Sequence, residues 1–277
     1  CGTSDNPHYR QSCVPGPSTG FTSVVGGGSH SVGLKDDGAV VAWGYNLAGQ
    51  CNVPAPNSSF VAVAAGEQHS LGLNFDGSIR AWGLNYFGQC SVPSPNSGFV
   101  DVAAGRYYSL GLKSGGSVLA WGNNTYDQCD IPEPNANFIA VAAGSHHGLG
   151  LKADGSIVAW GSNSSGQCNV PSPNSGFVAV AGGWDHSLGL KSDGSIVAWG
   201  SDGAGQCTVP TPNAGFVAIA ASGQFSAGLR ASGSVVAWGQ NNLGQCNVPE
   251  PSSGFVEIAA GSSHCLGLRR LPLLQLE

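Results

Sequence analysis

The chemistry-bearing side chains of this chain recur at intervals instead of clustering. His30, His69, His147, His186 and His264 are spaced by multiples of 39. Asp185-His186-Ser187 supplies the three residue types of a hydrolytic triad. Consecutive strand residues point to opposite faces, so this triplet cannot form the relay. Tyr108 and Phe225 occupy the same repeat position as the histidines. A position that accepts phenylalanine serves packing, so the histidines are read as hydrogen-bonding groups that hold loops. Seven cysteines, Cys13, Cys51, Cys90, Cys129, Cys168, Cys207 and Cys246, also share one repeat position. None forms the close Cys pair of a zinc site, and they are read as buried free thiols packing as small hydrophobes. Asp37, Asp76, Asp154 and Asp193 each bring one carboxylate to a turn, without the Asp-x-Asp-x-Asp run or distal glutamate of a calcium loop. No glycine loop opens a helix that would cradle a phosphate. The expectation is a protein that is not an enzyme, with no cofactor and no metal.

The elements behind these residues follow from the period. Trp43-Gly44, Trp82-Gly83, Trp121-Gly122, Trp160-Gly161, Trp199-Gly200 and Trp238-Gly239 lie 39 residues apart. A fixed period of this length marks a propeller or solenoid. Within one period, residues 60–66, 69–73 and 78–83 read as three strands, the last two joined by an Asp76-Gly77 turn. The connector Gln89-Cys90-Ser91-Val92-Pro93-Ser94-Pro95 carries two prolines that exclude a central strand. Helical periodicity is absent. Each small antiparallel sheet must cover its apolar faces with its neighbours. Phe21, Phe60, Phe99, Phe138, Phe177, Phe216 and Phe255 open seven units, which predicts an all-β, seven-bladed β-propeller.

The two ends read as halves of one repeat. Gln11, Cys13, Val14, Pro15 and Pro17 correspond to Gln50, Cys51, Val53, Pro54 and Pro56, and the chain stops partway through the unit opened by Phe255. The expectation is one domain over 1–277. In it 1–20 is a closing segment, 21–254 six full repeats, and 255–277 a partial repeat and tail. The terminal segments then share one blade and leave no unpaired edge. Cys265 replaces the serine of Ser31, Ser70, Ser109, Ser187 and Ser226, which lies opposite the repeat tryptophan. If Cys1-Gly2 stands where Trp-Gly would, a Cys1–Cys265 disulfide locks the ring. If the tail Leu273-Leu274-Gln275-Leu276-Glu277 fills that strand, Cys1 is left to pair with Cys13.

Charged residues make up 9% of the chain and its net charge is −6. Scattered basic residues exclude a nucleic-acid footprint, and no apolar run is long enough to span a bilayer. The expected location is extracellular: the chain starts at Cys1, as a processed secretory chain would, and holds sequons at Asn57, Asn123 and Asn163.

Positions that differ between repeats are free to specialise. One variable set lies between the first strand and the histidine: Gly28-Ser29, Glu67-Gln68, Arg106-Tyr107, Ser145-His146, Trp184-Asp185, Gly223-Gln224 and Ser262-Ser263. The other follows Trp-Gly and includes Tyr45, Tyr86, Phe87, Asn123 and Tyr126. First and third strands run the same way, so both loops emerge on one face. Tyr45, Tyr86, Phe87, Arg106, Tyr107, Tyr126, Trp184 and Asp185 are the candidate binding residues, since Tyr, Trp and Arg dominate interface energies.

The strings Gly183-Trp184-Asp185-His186-Ser187-Leu188-Gly189-Leu190-Lys191, Asp193-Gly194-Ser195-Ile196-Val197-Ala198-Trp199-Gly200 and Gly205-Gln206 resemble the repeat of the regulator of chromosome condensation family. The Gln-x-x-Val-Pro connector resembles its secreted bacterial branch, which includes propellers that inhibit β-lactamases. The resemblance spans about Gln11 to Leu268 and implies a propeller that binds proteins through aromatic loops. The nuclear member's nucleotide-exchange activity is not carried over, because the chain shows no wedge inserted between repeats and no basic tail. Three functions are expected from this reading: a secreted protein-recognition module, a structural protein that self-associates into oligomers or filaments, or a glycan-binding lectin.

Overall fold

The computed structural model describes residues 10–269. Among these there is no helix. Six three-stranded antiparallel sheets are followed by one two-stranded sheet. The first unit has strands Phe21–Gly26, His30–Lys35 and Val40–Gly44, and the last has Phe255–Gly261 and His264–Arg269. The proline connectors form no strand. Ser31 pairs with Trp43 and Ser187 with Trp199, the register read from the turns.

Two glycines show why the repeat is so constant. A Cβ on Gly72 would lie 2.5 Å from the Phe60 ring, which packs against the middle strand there. Gly83 has φ +101°, where the chain leaves its third strand, and a Cβ there would meet Gln68 backbone at 2.7 Å. In all seven units the register slips by one residue just after the opening phenylalanine, a β-bulge.

The core lies between units. Val32, Leu34 and Val40 of the first pack with Phe60, Val63 and Trp82 of the second. Val24 and Trp43 of the first pack in the same way with Leu266 of the seventh. First strands touch first strands from unit to unit, and that of the seventh touches that of the first. They surround a narrow axial cavity of about 40 Å³, lined by residues of all seven units.

The repeat histidines form the tightest links. His30 Nε2 lies 2.9 Å from Ser70 Oγ, and His69, His147 and His186 reach Ser109, Ser187 and Ser226 at 2.9–3.0 Å. His264 reaches Ser31 at 2.9 Å, joining the seventh unit to the first. Each serine donates its one proton to a glutamine backbone carbonyl: Ser70 to Gln50 at 2.9 Å and Ser31 to Gln11 at 2.8 Å. The histidine must therefore be the donor, which fixes the Nε2–H tautomer. The same carbonyls accept the tryptophan N–H, as Gln50 does from Trp82 at 2.9 Å and Gln11 from Trp43 at 2.8 Å. The correspondence of Gln11 to Gln50 is thereby met. The expectation that the histidines hold loops is corrected: they bolt each unit to the next.

The exceptions come in pairs. Where Tyr108 replaces histidine, Gly148 replaces the serine of the next unit, and the phenol instead bonds the backbone carbonyls of Gly144, at 3.2 Å, and His147. Where Phe225 replaces histidine, Cys265 replaces the next serine. A phenylalanine offers a serine hydroxyl no hydrogen bond, so the position that follows Phe225 in the next unit does not require one. No disulfide joins two described residues, and Cys265 there is a free thiol. Cys1, the partner expected for it, lies outside the described residues, as does the tail from residue 270.

Between the sixth and seventh units lies a cavity of about 410 Å³, lined by Val235, Ala237, Ile258 and Leu266 among others.

Candidate functional site

The loops that follow Trp-Gly are built alike whatever their sequence. In the second, Asn85 Oδ1 accepts the Cys90 N–H at 2.8 Å and Gln89 Oε1 accepts the Phe87 N–H at 2.9 Å. Cys90 Sγ–H donates to the Leu84 carbonyl at 3.2 Å. The same three contacts recur around Cys51, Cys168, Cys207 and Cys246. The cysteines are thus half-buried hydrogen-bond donors, not fully buried hydrophobes. Burial pushes Cys51, Cys90, Cys129 and Cys168 up to about 11, with Asp130 adding at Cys129.

With the loop frame fixed by Asn, Gln and Cys, the positions between them are free to vary, and here they carry aromatics. Tyr86, 83% exposed, meets Phe87 edge-on with centroids 4.9 Å apart. Phe87 lies 5.2 Å from Tyr107, and the Arg106 guanidinium sits 5.2 Å over the Tyr107 ring. These four side chains make one run from the second unit to the third. Tyr126 meets the His146 ring at 4.8 Å. A shallow cavity of about 380 Å³ joins Glu67, Arg106, Ser145, His146, Trp184 and Asp185. Burial, then Arg106, lower the His146 pKa, against an opposing effect of Asp185, so its ring is neutral at pH 7. Gln167 Nε2 reaches Asp185 Oδ1 at 3.5 Å.

Contacts bring the two variable loops together in neighbouring units, Phe87 against Tyr107 and Tyr126 against His146, and with the cavity they link seven of the eight candidate residues over the second to fifth units. The Tyr45 N–H donates to the Ser29 carbonyl at 2.8 Å, and Tyr45 lines a cavity of about 140 Å³ with Ser29, Glu67 and Gln68, Glu67 being shared with the larger cavity. Glu67, Ser145 and His146 join the site although aromatic and arginine content alone did not select them. Their signal was the repeat position they share with Arg106, Tyr107, Trp184 and Asp185. The remaining units present Gly223-Gln224, Ser262-Ser263 and Gly28-Ser29. Among the described residues no group of three or more metal-ligating side chains comes together.

The sequon asparagines differ. Asn57 bonds both ends of its amide to Val40 backbone at 2.8 Å, a clip repeated by Asn96, Asn135, Asn174 and Asn213, which lie outside sequons. Asn163 belongs to the loop frame, donating to Asn169 at 2.9 Å. Asn123 uses its Oδ1 to accept the Thr125 N–H at 3.0 Å and the Gln128 Nε2–H at 2.9 Å.

Six stretches, 21–50, 60–89, 99–128, 138–167, 177–206 and 216–245, match the regulator of chromosome condensation (RCC1) repeat. The chain belongs to the RCC1-repeat family. Its blades are those of an RCC1-type propeller. Yeast RCC1 (Prp20), solved bound to Kap60, is similar with a TM-score of 0.76 at 19% identity, covering 93% of this chain and 82% of that one. The Saccharomyces cerevisiae Prp20p structure, described with its binding to Gsp1p and histones, has a TM-score of 0.76 at 19% identity over 90% and 83% of the two chains. The ectodomain of the Arabidopsis thaliana receptor kinase ACR4 has a TM-score of 0.64 at 27% identity over 79% of each. No curated protein matches the chain in sequence.

Proposed function

We propose that this RCC1-repeat protein is a secreted, non-enzymatic recognition module that binds a protein partner through the arc from Tyr86 to Trp184. The carrying observation is the continuity of the arc: Tyr86, Phe87, Tyr107 and Arg106 touch in series and lead to the cavity of Arg106, His146, Trp184 and Asp185. Aromatic and arginine anchors on loops already braced by hydrogen bonds lose little entropy on binding. Yeast Prp20 binds protein partners, which favours a protein as the partner here. The receptor-kinase ectodomain and the sequons favour an extracellular setting, as does the likeness of the connector to the secreted bacterial branch. The reading includes a seven-bladed ring in which the N-terminal segment completes the seventh blade. The bonds from Gln11 to Ser31 and Trp43 support it.

The test is affinity capture from extracellular fluid with the wild type and with Tyr86→Ala/Trp184→Ala. A protein retained by the wild type and lost from the variant supports the reading. Identical retention by both, or binding only to a glycan array, overturns it in favour of another surface or a lectin.

A further inference from the structure

The opposite face of the propeller, where the Asp-Gly turns lie, carries an apolar ring that the loop-face reading does not use. It consists of the bulge residues. Val61, Val100, Ile139, Val178, Val217 and Val256 are all 47–57% exposed, with Thr22 at the same position in the first unit. The slip in register takes each of them out of the strand pairing, on the first strands that surround the axis. Between the first two units the ring opens into a groove of about 750 Å³, where the exposed Val61 and Phe75 stand among Lys35, Asp36, Asp37, Asp76 and Arg80. Phe75 is 85% exposed at the tip of its turn.

Charge around this ring is balanced and fixed in place. Each unit sets one cation over its opening phenylalanine, such as Lys113 at 3.5 Å from the Phe99 centroid and Lys191 at 3.7 Å from that of Phe177. The others are Lys35, Arg80, Lys152, Arg230 and Arg269. Several are pinned further by proline carbonyls, as Lys191 is by Pro173 at 3.1 Å and Arg80 by Pro56 at 3.0 Å. Turn carboxylates accompany them in four units, at Asp37, Asp76, Asp154 and Asp193, with Asp36, Glu133 and Glu250 on the same side of the strands. Hydrogen bonds from the following serine keep Asp76, Asp154 and Asp193 ionised by lowering their pKa. The loop face differs. Glu67, Asp127, Asp130, Asp185 and Asp202 outnumber Arg106 and Arg10 there, so two loop faces repel.

A face with an apolar centre and both signs of charge in equal number around it can meet a second copy of itself without net repulsion. We propose that the turn face docks on the turn face of a second copy of this chain, giving a two-fold dimer whose loop faces point outward. An isologous contact requires this self-complementarity. The apolar ring supplies the desolvated centre, and the charged rim of one copy brings cations toward carboxylates of the other. A stable dimer buries about 800 Å² per partner, so the contact extends from the ring across the turns and includes Phe75. The inference is independent of the loop-face reading, since it uses none of the same residues.

The experiment is sedimentation velocity over a concentration series from about 1 to 100 µM, a span that brackets the affinity of typical weak dimers. The wild type, Val100→Asp/Val178→Asp, Phe75→Lys and Trp184→Ala are compared, with near-UV circular dichroism to check that each is folded. The expected result is a species of twice the chain mass for the wild type and Trp184→Ala. Both turn-face variants then dissociate at least tenfold more readily. Phe75→Lys alters an exposed turn and keeps the test decisive if the strand variant does not fold. A wild type that stays monomeric throughout overturns the proposal. So does a dimer unaffected by the turn-face variants, or assemblies abolished by Trp184→Ala.

Discussion

The same strands end in two different rims. At the turn rim every unit repeats the bulge and the cation over phenylalanine, and the first six repeat the tight turn. At the loop rim no two units agree, and aromatic residues gather over the second to fifth units, with Tyr45 in the first, while the loops before the sixth and seventh middle strands present glycine, glutamine and serine. The difference lies in who makes the structural bonds. In the loops, Asn, Gln and Cys hold the backbone, so Tyr86 or Trp184 is not needed for the fold. At the turn rim the variable side chain would itself be the structural one, as Lys191 is over Phe177. Sequence freedom collects where the frame is supplied by other residues.

Acid is the strongest way to break this comparison, because the five histidine bolts all sit at the loop end of the middle strands. Burial holds His30 and His147 down to about 3, with neighbouring histidines adding to the effect, and holds His69, His186 and His264 to about 4. Unfolded histidines titrate near 6.5. The folded state thus binds fewer protons below that pH. Stability is complete above about pH 6.5 and falls as pH drops toward 4, with a slope approaching about 7 kcal/mol per pH unit for five protons. Urea unfolding at pH 7, 6 and 5 measures it, and a flat profile would show that the bolts do not titrate as a buried set. Hydrogen exchange at pH 5 is expected to release loop-end amides before turn-end amides.

A single bolt can be exchanged for its natural alternative. His69→Tyr alone puts a larger ring against Ser109 and is expected to cost about 1–3 kcal/mol by overpacking. Adding Ser109→Gly reproduces the Tyr108–Gly148 pair and is expected to recover about 1–2 kcal/mol in a double-mutant cycle. Additive effects would mean that the paired exceptions are unconnected.

The two rims can then be compared directly. Lys191→Ala removes a cation over Phe177 and is expected to lower stability by about 0.5–1 kcal/mol. Trp184→Ala is expected to change it by no more than about 0.5 kcal/mol, as for surface sites without a structural role. Chemical denaturation checks both, and the reverse order would undo the distinction between rims. The smallest effect concerns the thiols. Cys51, Cys90, Cys129 and Cys168 should resist alkylation at pH 7.5 in the native protein and react after denaturation, since burial disfavours the thiolate. Rapid native labelling would show that these loops open readily.

Much of this was legible in the chain. The Trp-Gly period, the Asp-Gly turns and the connector prolines gave strand order and pairing, down to Ser31 opposite Trp43. The arc was legible only in part: Tyr86, Phe87, Tyr107 and Trp184 were visible as variable aromatics, but Glu67 and His146 join them through the curvature of neighbouring units. The histidine bolts were misassigned to loops because their partners lie 40 residues away in the next unit. The aliphatic ring was invisible, since a bulge breaks the alternation that would have hidden Val61 and Val100 in the strand.

Sequence alone determined everything that operates within one repeat. Local alternation, turn residues and glycine positions set the pairing of three adjacent strands, and 39 residues of context suffice for that. Only the tertiary structure decided what one unit does to the next: which serine a histidine reaches, why Tyr108 goes with Gly148 and Phe225 with Cys265, and which loop side chains meet. Those contacts depend on the offset and rotation between packed sheets, a property of the assembled units that no single repeat contains.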